Sequence, residues 1–312
     1  MPVVKVTDYA YPGGWTEGTD PAARASEYCR ALEKGNVLAF DGIPYQLSQA
    51  DLEFLRSQRQ STSRFHKNIS YRPATDTLRG FETGAEEEKN RLQEIMRNFS
   101  RQTVDLVTAL LAPYAPHMRL DYASYRPFEE EGRDLPLKKR NDLLHVDSFP
   151  TRPTRGSRIL RVFTNISTEQ PRKWRTTPPF SELFPQFAAD ESLRRILQGY
   201  EGPLAGLKRT LLRTGSAAGL PMVDRPPYDA LMLRLHDLLK EDAGFQKESP
   251  AENHDFQPMT TWMVYTDGVG HAVMSGKYAL EQTFLIPPEA WVAPEEAPIR
   301  VLEKHYGREL SV

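Results

Sequence analysis

The residues with the plainest chemical promise are His145 and Asp147, one apart at the end of the apolar run "DLLHVD" (142–147). A loop and strand carrying Arg152, Arg155, Arg158 and Arg161 follow at once. In an extended backbone successive side chains alternate between faces, so His145 and Asp147 point the same way and Val146 the other. One imidazole nitrogen and one carboxylate oxygen from a single edge suit iron(II) and related divalent ions. A third ligand from a distant strand would complete a facial triad with positions left open for a bidentate co-substrate and oxygen.

There are seven histidines in which to seek that ligand. His66 and His117 precede the HVD segment, His305 lies beyond the last strand signal, and His236 falls on the helical stripe "LMLRLHDLLKE". His254 sits in the polar "ENHDFQ", whereas His271 lies in "VGHAVMSGKYALEQTF", which reads as turn, strand, Gly276 turn and strand. His271 is the better placed, with His254 as the alternative. Other chemistries are weaker. Ser148 beside HVD lacks a nucleophile-elbow sequence, and no glycine pair opens a strand-to-helix turn in the form of a P-loop or dinucleotide fingerprint.

Which elements would position these groups? From 20 to about 112 the patterns are mostly helical, broken by the strand "NVLAFDGI" (36–43). The clearest helix, "EEEKNRLQEIMRNFSRQTVDLVTALLAPY", has an acidic start that suits a helix N-terminus, and Leu92, Ile95, Met96, Phe99, Leu106 and Leu110 recur along it at helical spacing. After Pro116 the runs "HMRLDYASYRPF", "DLLHVD" and "SRILRVFTNIS" read as strands, as do "MTTWMVYTDGVGHAVMSG" and "KYALEQTFLIPP". The expectation is one α+β domain over 1–312: a β-barrel or jelly roll flanked by helices. Within it, 1–116 is mainly helical, 117–167 and 255–290 form the β core, and 172–250 is a helical insertion.

Composition narrows the partners. Forty basic against 42 acidic residues give no global field for gripping nucleic acid, so any anionic partner must meet a local patch. The single cysteine, Cys29, excludes an intrachain disulfide and sits in a helical pattern where a buried thiol is expected. The first residues lack a secretory leader, and no window approaches the roughly 18 to 20 apolar residues needed to span a bilayer. A cytoplasmic protein is therefore expected, one that would meet a membrane only from its surface.

Several stretches carry a resemblance. The H-x-D pair with a distal histidine resembles Fe(II)/2-oxoglutarate-dependent oxygenases built on a double-stranded β-helix, a cupin-like jelly roll. More specifically, "YRPF", "LHVDSFPTRPTRGSRILRVFTNI" and "VGHAVMSGKYALEQTF", with "NVLAFDGIPYQLS" and "KNISYRP" nearer the start, are similar to the family of Kdo (3-deoxy-D-manno-oct-2-ulosonic acid) hydroxylases. That resemblance covers most of the chain. It implies hydroxylation of Kdo at C3 to give Ko in the lipopolysaccharide inner core, with Fe(II), 2-oxoglutarate and O2. It also makes His145, Asp147 and His271 the iron ligands. Two alternatives stand beside it: an oxygenase of the same class acting on another small metabolite or a protein side chain, and a noncatalytic β-barrel binding module.

The wider oxygenase class commonly has an arginine after the distal histidine to hold the far carboxylate of 2-oxoglutarate. This chain has none there before Arg300. Some members use a basic residue on the strand after H-x-D, which points to Arg161 first, then Arg126 and Lys277, because a guanidinium offers a planar bidentate contact. Asn165 shares the face of Arg161 and is either a cofactor contact or a strand-end cap. Tyr122 and Tyr125 are candidate hydroxyl donors. An acidic sugar on phosphorylated lipid A (Kdo-lipid A or a related lipopolysaccharide precursor) calls for fixed cations. Arg152, Arg155 and Arg72 are the substrate candidates, with Lys138, Lys139 and Arg140 in "LKKRND" nearby. Basic loops of this kind also suit peripheral contact with the cytoplasmic face of an anionic inner membrane.

Overall fold

The computed structural model describes residues 2–58, 68–81, 85–201 and 223–311. Three short strands, β1 (Val3–Lys5), β2 (Tyr9–Ala10) and β3 (Gly14–Trp15), lead into helix α1 (Pro21–Glu33). The Asp20 side chain accepts from the Ala22 and Ala23 amides and Pro21 opens the first turn, a combination that starts helices. Strand β4 (Val37–Phe40), helix α2 (Gln49–Ser57), strands β5 (Ile69–Arg72) and β6 (Thr77–Arg79) and the long helix α3 (Glu86–Leu110) follow. The expected apolar stripe of α3 is buried throughout, as is Cys29.

The site-bearing part begins with β7 (Arg119–Arg126), β8 (Arg158–Asn165) and β9 (Arg172–Pro179). Helices α4 (Phe180–Leu183), α5 (Glu191–Gln198), α6 (Pro227–Glu241) and α7 (Ala243–Glu248) then intervene. Strands β10 (Glu252–Phe256), β11 (Thr260–Tyr265), β12 (Val269–Ser275) and β13 (Ala279–Ile286) return to the core, and helix α8 (Pro298–Tyr306) lies near the C-terminus.

A large sheet runs in the order β1-β4-β11-β8-β13-β7-β5-β6, and a small sheet runs β10-β9-β12. Between them Val37, Phe163, Trp262 and Val264 meet Trp174, Phe256, Val269 and Val273. Strand β8 shows how period-two alternation divides the labour. Leu160 and Val162 face α1 and α3, packing with Leu32, Phe99 and Leu106, whereas Arg161 and Phe163 face the small sheet. A third cluster packs α4, α5, α6 and α8 against Leu144 and Val146, behind the HVD segment. This is the double-stranded β-helix with flanking helices that the sequence led us to expect.

The boundaries differ in three places. "DLLHVD" is extended but makes only a single bridge, His145 to His271, because Leu144 bonds the Gln246 side chain and Asp147 bonds the Thr266 carbonyl instead of a neighbouring strand. "RKWRTTPP", placed in the helical insertion, is strand β9 and pairs with β10 and β12. Its central position in the small sheet is set by the buried alternation of Arg172, Trp174 and Thr176. "ENHDF", expected as a loop, is the edge strand β10, and the mainly helical N-terminal part also lends β1, β4, β5 and β6 to the large sheet. The described helices of the insertion thus begin at Phe180; positions 202–222 of it, and His66, lie outside the described residues.

Candidate metal centre

His145 exchanges both backbone hydrogen bonds with His271, N to O at 3.1 and 2.9 Å, so the bridge itself brings the two rings together. Their centroids are 4.6 Å apart. Each ring is oriented by its own Nδ1: that of His145 lies 2.7 Å from the Leu143 carbonyl, and that of His271 lies 3.3 Å from the Val269 carbonyl. A carbonyl can only accept, so the proton belongs on Nδ1 and the Nε2 lone pair is left for a ligand. Both Nε2 atoms turn to Asp147, 3.8 Å from Oδ1 for His145 and 4.0 Å from Oδ2 for His271. One donor atom from each of the three residues lies within 4.8 Å of the others.

The protonation states fit a divalent cation. Burial pushes both imidazoles below the usual histidine range, keeping them neutral. For Asp147 burial opposes ionisation, but the Arg161 guanidinium outweighs it and holds the carboxyl well below the usual range. Asp147 Oδ2 is 3.0 Å from Arg161 Nε but accepts no well-directed hydrogen bond, so a metal ion could complete it as a buried acceptor. Two neutral nitrogens and one anionic oxygen are a donor set that fits iron(II).

The triad opens into a cavity of about 640 Å³ between the sheets and α6. Trp174 stacks on the His271 ring at 5.4 Å and meets Phe163 edge-on at 4.8 Å, forming an apolar wall. Opposite charges fill the large-sheet side. Arg161 Nε lies 3.0 Å from Asp147 Oδ2, and its terminal nitrogen pairs with Glu281 Oε1. Arg126 donates to the other oxygen of Glu281 at 2.8 and 3.1 Å. Glu130 then joins Arg126, Arg133 and the buried Arg172 at 3.3 to 3.4 Å. On the α6 side, the His236 ring is 5.0 Å from that of His145, and its Nδ1 is 2.7 Å from the Val146 carbonyl.

The family model for 3-deoxy-D-manno-oct-2-ulosonic acid (Kdo) hydroxylase matches residues 16–309. The chain belongs to the Kdo hydroxylase family. No curated protein sequence matches it. Solved structures of the Kdo hydroxylase KdoO, a non-haem Fe(II) alpha-ketoglutarate (2-oxoglutarate) dependent dioxygenase, do match. The apo form aligns with a TM-score of 0.82 at 34% identity, covering 100% of this chain and 98% of that one. A cobalt(II) complex gives the same values. The complex with alpha-ketoglutarate and Fe(III) aligns at 0.81 and 33%, covering 99% and 97%. Membership makes this Kdo hydroxylase homologue a non-haem Fe(II)/2-oxoglutarate-dependent oxygenase and sets aside the noncatalytic binding module.

The structure brings together some of the candidate residues and not others. Arg161, Arg126, Arg152 and Tyr122 line the cavity with the triad, and so do Lys138 and Lys139. Tyr125 does not: it neighbours Arg126 on β7 and so faces the other way, its hydroxyl donating to the Leu55 carbonyl in the helix-side core. Asn165 is the strand-end cap, its amide donating to the carbonyls of Gln170, Phe256 and Gln257. Lys277 lies over the Tyr278 ring at 5.0 Å, away from the cavity lining. Arg155 turns to Asp224, and Arg72 stands behind Tyr122, 5.1 Å from its ring. Arg158 is buried against Asp267 and the Glu33 carbonyl. His254, on the edge strand β10, bonds Thr176 of β9, which leaves His271 as the third member of the cluster. Sequence reasoning missed Glu281, Glu130, Arg172, Trp174, His236 and Lys240 as cavity or network residues.

Proposed function

We propose that this chain hydroxylates C3 of the Kdo sugar in Kdo-lipid A or a related precursor, giving Ko, with His145, Asp147 and His271 as its iron ligands. The observation that carries the reading is the triad of two neutral imidazoles and one ionised carboxylate opening into a cavity large enough for a sugar acid beside a dicarboxylate. Iron, when bound, supplies the oxygen and decarboxylation chemistry. The protein's own contribution is orientation. The Leu143 and Val269 carbonyls fix the imidazoles, Arg161 keeps Asp147 ionised, and Trp174, Phe163 and Val273 keep one wall dry. Arg161 remains our first choice for the far carboxylate of 2-oxoglutarate and Arg126 the second. Both flank Glu281 beside the triad. Arg152, over the Tyr122 ring at 3.9 Å and paired with Asp121, is a substrate-side cation at the cavity.

The test is mass spectrometry of Kdo-lipid A after incubation with the Fe(II)-loaded protein and 2-oxoglutarate. One added oxygen on the Kdo unit, matched by succinate, is expected. Succinate formation with some other acceptor, and none with Kdo, would overturn the substrate assignment. No described helix is long and apolar enough to cross a membrane, and the basic Lys138 and Lys139 line the cavity that would take a lipid-linked sugar, with Arg140 paired to Asp142 beside them. We propose that the reaction takes place at the cytoplasmic surface of the inner membrane. Sedimentation with anionic liposomes should carry the protein down at low salt and release it as salt rises; full recovery in the supernatant at low salt would reject that placement.

A further inference from the structure

Lys240 is a buried cation that makes no ion pair among the described residues, although Asp147 acts on it from a distance. It lies on α6, 3% exposed, and lines the cavity with Leu233, His236 and Asp237 of the same helix. Spacings of three and four residues put these side chains on one face. Its ammonium has three donors, and one is used on the Lys138 carbonyl at 3.1 Å. Among the described residues no carboxylate lies within ion-pairing distance of it: the nearby Asp237 is taken by Lys138. Three arginines of the cavity differ in this respect. Arg161 has Asp147 and Glu281, Arg126 has Glu281 and Glu130, and Arg172 has Glu130. Burial of a lone ammonium is costly, and here it depresses the pKa to about 8. Such a group is retained where an anion completes it.

We propose that Lys240 is the specificity-determining cation for the carboxylate of the sugar acid. The inference rests on the Kdo reading above and adds a residue to it. Two carboxylates must enter this cavity, that of the sugar and the far one of 2-oxoglutarate, and position assigns Lys240 to the first. The guanidiniums of Arg161 and Arg126 stand on the Asp147 side of the triad, on β8 and β7. Lys240 stands one helical turn from His236, whose ring packs on His145. The sugar ring is thereby held against α6 with its acid group fixed, while the co-substrate occupies the large-sheet side.

The experiment compares the wild type with Lys240→Met and Lys240→Arg, using a Kdo-containing acceptor as the free acid and as its methyl ester. Lys240→Met should raise KM for the acid about 30-fold or more, the range for removing one partner of a buried charge pair. KM for the ester should change by less than about threefold, and Lys240→Arg should recover most of the loss with the acid. Equal losses for acid and ester would mean a structural role through the Lys138 carbonyl and would overturn the proposal. A raised KM for 2-oxoglutarate with that of the sugar unchanged would assign Lys240 to the co-substrate and overturn it too. Failure of the Kdo reading is seen separately, in the wild type, as absence of hydroxylated product from the acid.

Discussion

Asp147 is the residue on which the proposed metal centre depends, because it is the only anion of the triad and both histidine Nε2 atoms face it. Replacing it by Asn keeps the shape and removes the charge. In the wild type, cobalt(II) at about 100 times its Kd should add roughly 2.7 kcal/mol of stability, read as a shift of the urea midpoint. In Asp147→Asn that shift should vanish. An undiminished cobalt-induced shift in the variant would remove Asp147 from the ligand set. The clustering of His145 with Asp147 was legible in the sequence, since two potential donors one residue apart in extended backbone announce themselves by type and parity. The same parity separates Tyr125 from Arg126, and applying it would have excluded the tyrosine. Glu281 and Glu130 were not legible. A carboxylate that neutralises arginines from another strand leaves no local pattern, and only the pairing of β13 with β7 and β8 brings Glu281 to Arg126 and Arg161.

At the scale of elements, the distal histidine depends on how closely β12 can lie on β9. Gly270 precedes His271 at a register shift between the two strands, and its amide donates to Thr177 Oγ1 at 2.9 Å. A Cβ at position 270 would stand 2.8 Å from both Thr177 Oγ1 and Cγ2, closer than real contacts allow. Gly270→Ala should therefore lift β12 off β9, cost about 1 to 3 kcal/mol as overpacking does, and weaken cobalt(II) binding by displacing His271. The Gly270→Ala/Thr177→Ala double variant removes both clashing atoms and should recover more than half of the stability and metal affinity. If it recovers neither, close approach of the strands is not what Gly270 provides. Strand β9 escaped the sequence reading, which put "RKWRTTPP" in the helical insertion, because its two prolines and three cationic side chains mask the strand pattern. The signal was the alternation of Arg172, Trp174 and Thr176 with Lys173 and Arg175, which separates buried from less buried positions. For α6 the reverse holds: its helical stripe was plain, but that His236 and Lys240 face a cavity follows only from where the helix docks.

Across the whole molecule the two sheets are joined by charge as well as by the apolar layer. Arg126, Arg161 and Glu281 belong to the large sheet and Arg172 to the small one, with Glu130 between them. Burial alone would raise the Glu130 carboxyl, but Arg126, Arg172 and Arg133 bring it down to about 2. A carboxylate whose pKa is lower in the folded than in the unfolded chain stabilises the fold above the unfolded value, near 4.3, and loses that contribution as pH falls toward the folded value. For Glu130 the contribution is about 3 kcal/mol, lost between roughly pH 4.5 and 2. Asp267 and Asp229, whose carboxyls burial pushes up, act in the opposite sense and are common to wild type and variant. Glu130→Gln should accordingly be destabilised at pH 7, where it leaves three arginines short of an anion. It should also lose less stability than the wild type on acidification. Urea unfolding at intervals from pH 7 to 2.5 measures both, and the wild-type and variant curves should converge at the acid end. Parallel curves over that window would mean that the charge bridge between the sheets does not carry the acid sensitivity of the fold.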